Sequence, residues 1–260
     1  MPDRAGRSCG SRALDGGLIH FVPETGSTNA DLVAALAAGE AVDEGDWLVA
    51  DRQSAGRGRQ GRAWFDGFGN FMGSTVVRLR AGDPPAPSLA LLAGLALHEV
   101  VSRHVPPPHL ALLKWPNDLL IGGAKLSGIL LEASGGAVVV GIGANLAVAP
   151  DLPDRRTIAL SAFGPTPERD AFAQDLAQRF AAELVAWRTC GLEPLIRRWN
   201  AAAHRLGTPL RVGEPGEPSL EGTFAGLSSD GALQLRLADG TTRSVHAGEV
   251  RLGAIEENGC

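Results

Sequence analysis

The chain has 260 residues, 44% of them hydrophobic and 20% charged, with a formal net charge of -5. That composition belongs to a folded protein with room for one large domain and a small one, and it excludes a chain that is disordered throughout. An acidic total also excludes a surface built everywhere for nucleic acid, so a site for a polyanion has to be local.

Residues 1–17 carry arginines with no continuous apolar segment behind them, so they read as a loose soluble tail and not as a secretory signal. The tail is too short to hold a helix-turn-helix. No run elsewhere reaches the ~20 apolar residues of a membrane span. Cys9, Cys190 and Cys260 are odd in number and far apart, which points to reduced thiols in a cytoplasm and to neither a disulfide framework nor a fixed metal site.

Leu18 to Val22 reads as a strand that enters a turn at Glu24 to Ser27. The stretch after it, Ala-rich with apolar residues at helical spacing, is a helix capped by Ser27, Thr28 or Asn29. "DWLVADRQ" and "NFMGSTVVRLR" are strands, and the run "GRGRQGRAW" is the loop between them. Gly56, Gly58 and Gly61 match G-x-G-x-x-G, but the glycine-rich, aromatic stretch that follows starts no helix, so the dinucleotide reading fails.

What remains for this loop is simple physics: glycines let backbone N–H groups approach an anion, and arginines supply planar charged forks suited to phosphate. An Arg/Gly segment for RNA and a solvated loop without function stay open on the loop alone. Self-repulsion predicts that the loop is mobile when empty and orders on a phosphate or carboxylate.

"PPAPSLALLAGLALHEVVSRHV" becomes an almost all-round apolar helix, which belongs buried against a sheet. Strand-like runs then flank a Pro-Asn-Asp turn and a Gly-Gly turn, and "AVVVGIGANLAV" adds another buried strand. Hairpins among helices predict a mixed sheet. Two further helices are closed by Gly191 and Gly207, and from about Thr208 short alternating segments cut by Asp230-Gly231 and Asp239-Gly240 predict a small barrel-like β unit.

In "KWPNDLL" a cation, an aromatic ring and a carboxylate stand at a turn after a strand, where side chains converge on a cleft. In "KLSGILLE" Lys125 precedes an apolar strand in which Gly128 allows close backbone approach. Together with "STN", "GRGRQGRAW", "GIGANL" and "AGEV", these stretches occur in the order found in biotin protein ligases. The chain resembles that family from about Leu18 to Leu252, in its short form without an N-terminal DNA-binding domain.

The resemblance implies an α+β fold: a class II synthetase-like mixed β-sheet with helices over 18–207, then an SH3-like β-barrel over 208–260. It implies that biotin and ATP, with Mg2+ accompanying the ATP, form biotinyl-5'-AMP, and that biotin passes to a lysine of a biotin carboxyl carrier domain. For biotin it points to Ser27, Thr28, Asn29, Gln53, Gly56, Arg57, Lys125 and Gly128. For ATP and the adenylate it points to Arg59, Arg62, Trp64, Lys114, Asn117 and Asn145.

Arg57, Arg59, Lys125 and Asp118 carry the chemistry on this likeness, with Asp118 assisting the incoming lysine amine and Lys114 either reaching pyrophosphate or pairing with Asp118. The likeness further implies no DNA binding, no membrane, a cytoplasmic enzyme and, through an exposed sheet edge, a possible homodimer. "APDLPDRRTIAL" stands where the family folds a loop over adenine. Gln60 stands where many members carry another base, which lowers the loop's charge. The rival readings are a lipoate-attaching ligase or transferase with the same adenylation logic, and a nucleic-acid binder.

Overall fold

The computed structural model describes residues 17–213 and 219–253. The expected tail lies almost wholly outside the described residues. In chain order the larger part has β1 (Ile19–Thr25), α1 (Thr28–Ala37), β2 (Trp47–Gln53), β3 (Phe71–Arg78), α2 (Leu89–Ser102) and β4 (Ala111–Lys114). It continues with β5 (Asp118–Ile121), β6 (Ala124–Ser134), β7 (Ala137–Ala144), α3 (Arg169–Cys190) and α4 (Leu192–Ala202). The strands form one sheet in the order β1-β2-β3-β7-β6-β5-β4, with β1 parallel to β2 and every other pair antiparallel. The mixed sheet expected from sequence is present.

Strand periodicity decides which face takes which load. On β7, Val138, Val140 and Ile142 enter the large core under α2, α3 and α4, whereas Ala137 and Val139 pack with Leu32, Val33 and Leu36 of α1. Continue the second series by twos and it reaches Gly141 and Gly143. The face that α1 covers at one end is therefore bare backbone at the other, and there the sheet opens into a cavity. α2 is the central helix of the large core, with ten buried residues including Leu92, Leu95 and Leu97, as its all-round apolar sequence requires.

The second sheet is five-stranded, in the order β11 (Thr242–Val245), β10 (Leu233–Arg236), β9 (Leu220–Leu227), β8 (Pro209–Gly213), β12 (Glu249–Leu252). All its pairs are antiparallel, consistent with an SH3-like unit. Gly231 and Gly240 hold positive φ at its turns, as the two Asp-Gly dipeptides predict. Leu210, Phe224, Leu233 and Leu235 join the same apolar cluster as α2, so the two sheets share one core.

Three details depart from the sequence reading. β1 runs on past Val22 to Thr25, because Pro23 sits on an edge strand and the pairing with β2 resumes at Glu24 and Thr25. α4 stops at Ala202 and not at Gly207: Ala203 turns extended and bridges Leu113 of β4. Cys190 is disulfide-bonded, against the expectation of reduced thiols.

Candidate active site

Ser27 ends the first turn and caps α1, its side chain accepting from the N–H of Ala30 at 3.4 Å. With Ser27 spent as the cap, Thr28 and Asn29 are the first helical residues, and both side chains are buried. Gln53 at the end of β2 meets them: its Oε1 accepts the N–H of Thr28 at 2.7 Å and the hydroxyl of Thr28 at 3.0 Å. Parallel pairing of β1 with β2 sets this meeting, since it brings Thr25 and Gln53 into register.

The Arg/Gly run folds as a short hairpin. Arg57 bridges Ala63, Gly58 N–H donates to Arg62 O, and Trp64 N–H donates to Gly56 O. Gln60, at φ 58°, takes the left-handed conformation at its tip. The run thus lies as a hairpin along the cavity wall. Arg62 forks onto Glu249 of β12 and also donates to Gln60 Oε1 at 2.9 Å. Arg59 Nη1 donates to Asn117 Oδ1 at 3.2 Å.

On the far wall, the β4–β5 hairpin pairs Lys114 with Asp118, and β6 pairs Gly128 with Asp118. The Asp118 carboxylate receives both ammonium groups, Lys114 at 2.8 Å and Lys125 at 2.6 Å. Burial pushes the Asp118 carboxyl up, and the charges and hydrogen bonds of the two lysines outweigh it and bring it down to about 2. Asn117 holds the turn in place by donating to Ile129 O at 2.7 Å and accepting no less firmly through its backbone carbonyl from Ile129 N–H. Trp115 ties the same turn to the second sheet by donating to Gly231 O at 3.1 Å.

The floor is a pair of facing glycines, Gly128 of β6 opposite Gly143 of β7, and the Trp64 ring lies on them. A Cβ on Gly143 would fall within the ring itself. Lys125 Nζ stands 5.8 Å from the Trp64 centroid. Two buried polar atoms along this wall have no partner among the described residues, Trp64 Nε1 and Asn145 Oδ1, the Asn145 amide nitrogen being engaged with Ile158 O at 3.2 Å. Both atoms are enclosed by protein, so each is a buried polar group left without a partner among the described residues.

These walls enclose a cavity of about 570 Å3. Its lining holds six cations, Arg57, Arg59, Arg62, Lys114, Lys125 and Arg155, against three carboxylates, Asp118, Asp154 and Glu249. In an acidic protein, that local excess is a seat for an anion. Every residue singled out in the sequence lines it except Gly56, whose space is filled by Gln53 Nε2, 3.0 Å from where a Cβ would be.

The sequence reading missed Ser74, which lies under Thr28, and Glu132, which holds Asn29. It also missed Arg155 and Glu249 as side chains of the wall, although both fall in stretches it had quoted. Only a polar residue at an inward strand position signalled Ser74; nothing local signalled Glu132.

Two family models match: the biotin/lipoate A/B protein ligase family over residues 26–148 and the biotin protein ligase C-terminal domain over 206–253. A biotin–[acetyl-CoA-carboxylase] ligase of Paracoccus denitrificans is 38% identical over 227 residues, covering 83% of this chain and 93% of the relative. The chain belongs to the biotin protein ligase family.

Solved biotin protein ligases place the fold in the same family. That of Aquifex aeolicus, in complex with biotin and ATP, has a TM-score of 0.79 at 26% identity, covering 91% of this chain and 99% of that one. That of Leishmania major, in complex with biotinyl-5-AMP, has a TM-score of 0.60 at 28% identity, covering 88% and 99%. As a biotin protein ligase, this chain is an enzyme whose candidate site is a cationic cavity closed by an arginine hairpin. No helix among the described residues is long and apolar enough to cross a membrane.

Proposed function

We propose that the cavity activates biotin with ATP as biotinyl-5'-AMP, releasing pyrophosphate, and then passes the biotin to one lysine of a biotin carboxyl carrier domain. The observation that carries this reading is the convergence of Arg57, Arg59, Arg62, Lys114 and Lys125 on one cavity whose opposite end is a neutral polar pocket of Thr28, Asn29, Gln53 and Ser74. One ligand with an uncharged hydrogen-bonding head, a short apolar body and an anionic end fits such a site, and biotin has that form.

In the first step the biotin carboxylate attacks the α-phosphate of ATP, forming the acyl–phosphate bond as the bond to pyrophosphate breaks. Two anions have to meet, so the arginines of the hairpin and Lys125 lower their repulsion and fix the line of attack. Mg2+ belongs to this reading as the companion of the ATP phosphates; among the described residues no cluster of three His, Cys, Asp or Glu stands ready as a fixed metal site. Trp64 over Gly128 and Gly143 walls the mixed anhydride from water. Asn145 Oδ1, without a partner among the described residues, is the acceptor this reading assigns to an adenine amino group.

In the second step a lysine amine attacks the acyl carbon and AMP leaves. Asp118 is paired with two lysines at rest, so it accepts the amine's proton only after Lys125 has turned to the bound anion. This reading places the chemistry in residues 18–207, has 208–260 supply Glu249 and Val250 to the wall, and keeps a cytoplasmic protein that pairs with a second copy through a sheet edge and binds no DNA.

The test is direct: purified protein, ATP, labelled biotin and a carrier domain should yield label on one acceptor lysine. No label beside an active control ligase overturns the reading. Label from lipoate in place of biotin would move it to the lipoate-attaching class.

A further inference from the structure

The loop between β7 and α3 brings one cation to the cavity that the reading above leaves without a task. Thr157 pairs in parallel with Lys125, and Ile158 N–H donates to Lys125 O at 3.0 Å, so the base of the loop is fixed to the strand that carries this lysine. Leu152 and Arg155 bridge each other and close a tight turn over Pro153 and Asp154. From there the chain alternates as extended backbone does: Arg155 and Thr157 line the cavity, while Arg156 between them is exposed and does not. Two adjacent arginines of equal charge thus have different surroundings.

The partners of Arg155 are acidic and exchangeable. Its Nε donates to Asp154 Oδ2 at 3.0 Å, and its Nη2 lies 3.9 Å from Glu249 Oε1, the oxygen that also accepts from Arg62 Nη1 at 3.1 Å. A carboxylate oxygen between two guanidinium groups marks a place where an anion is held, and phosphate oxygens suit the same forks. The Asp154 side chain is more than half exposed, and an ion pair so open to water holds weakly. Depth separates the two arginines from the lysines: the Lys114 and Lys125 side chains are 16% and 19% exposed, those of Arg155 and Arg62 26% and 38%. With the new bond forming beside Lys125, the phosphates beyond the α-phosphate extend towards the outer cations, where the leaving group reaches solvent.

We propose that Arg155 is a binding residue for the β- and γ-phosphates of ATP and for the pyrophosphate they become, taking them together with Arg62 in exchange for Asp154 and Glu249. The proposal deepens the reading above and rests on its ATP half. It gives Arg155 a part in the first step and none in the second, because the adenylate has lost both of those phosphates.

Arg155→Gln removes the charge and keeps a polar side chain. In steady-state adenylate formation its KM for ATP should rise about tenfold, the scale of one charge-assisted hydrogen bond, with KM for biotin unchanged. Inhibition by inorganic pyrophosphate should weaken by a similar factor, while transfer of biotin from preformed adenylate to the carrier domain keeps the parent's rate. Arg155→Lys should recover part of the ATP KM, and Arg156→Gln, the same loss of charge one residue on, should match the parent throughout. An unchanged KM for ATP in Arg155→Gln, pyrophosphate inhibition as strong as the parent's, a slowed transfer step, or an equal effect from Arg156→Gln overturns the proposal. Calorimetric titration of the free protein with inorganic pyrophosphate needs no turnover and keeps the two readings apart. Weaker binding by Arg155→Gln than by a parent that forms no biotinyl-adenylate overturns the biotin reading and supports the phosphate contact; equal binding overturns the contact.

Discussion

Two single residues set what the cavity can do. Gly143 is bare because the Trp64 ring lies on it, so Gly143→Ala forces either the ring or the strand to move. Overpacking of this kind costs about 1–3 kcal/mol, and here the ring is the part able to yield. We expect Gly143→Ala to fold with a modest loss of stability and to release its adenylate faster than the parent; trapping of labelled adenylate on a filter measures this, and equal retention would count against Trp64 as the lid. Asp118 is the second. Its folded carboxyl sits at about 2 against an ordinary 3.8, so its stabilising effect is complete above the ordinary value and is lost as pH falls through the folded one. Asp118→Asn leaves two half-buried ammonium groups without this counter-charge, and the lowered carboxyl sets the pH-dependent part of the change at about 2 kcal/mol. Denaturant titrations should therefore show the parent ahead of Asp118→Asn at neutral pH, with the gap closing between about pH 4 and pH 2; a gap that ignores pH in this window would reject the two-lysine account.

At the scale of elements, the arginine hairpin is the part whose state matters to the reaction. Its own bonds are few, and one fork from Arg62 to Glu249 ties it to β12. The Arg62 hydrogen bond lowers the Glu249 carboxyl, ahead of the opposing effect of burial, and the charges of Arg62, Arg251 and Arg155 lower it further. A half-exposed pair contributes about 0–1 kcal/mol to global stability, so its removal acts locally. Glu249→Gln should leave the melting temperature within a degree or two while amide exchange in residues 57–63 speeds up. Exchange as slow as in the parent would mean the hairpin is held by something else. The sequence reading had the loop, its place between β2 and β3, and its charge; it did not have the partner, because Glu249 is 187 positions away from Arg62.

Over the whole molecule, the decisive feature is a single apolar cluster. Leu210, Phe224, Leu233 and Leu235 of the second sheet pack into the cluster that holds Leu91 and Leu95 of α2, and Trp115 donates across to Gly231. Heating should therefore give one cooperative transition, with calorimetric and van't Hoff enthalpies equal. Two resolved transitions would show that the second sheet is an independent unit. The same arrangement explains how an acidic protein gathers six cations on one cavity: the hairpin brings three, β4 and β6 one each and the loop 150–157 one, and none needs a basic surface of its own.

The sequence by itself determined the order and type of the elements, because hydrophobic periodicity and turn chemistry are local. Asp230-Gly231, Gly191 and the unbroken apolar run of α2 each announce their structure within a few residues. Nearly every residue it marked for the site also lies in the cavity wall, since these gather in short unusual stretches such as "KWPNDLL". What only the tertiary structure decided were the pairings between distant stretches: Asn29 with Glu132 and Arg62 with Glu249, which meet in space but are far apart in the chain. The end of α4 belongs here too, for a bridge from Ala203 to Leu113 stopped a helix that its own sequence would have carried further. A hydrogen bond between residues 103 positions apart depends on the register of a sheet, and register is a property of strands in contact, which no local run of residues contains.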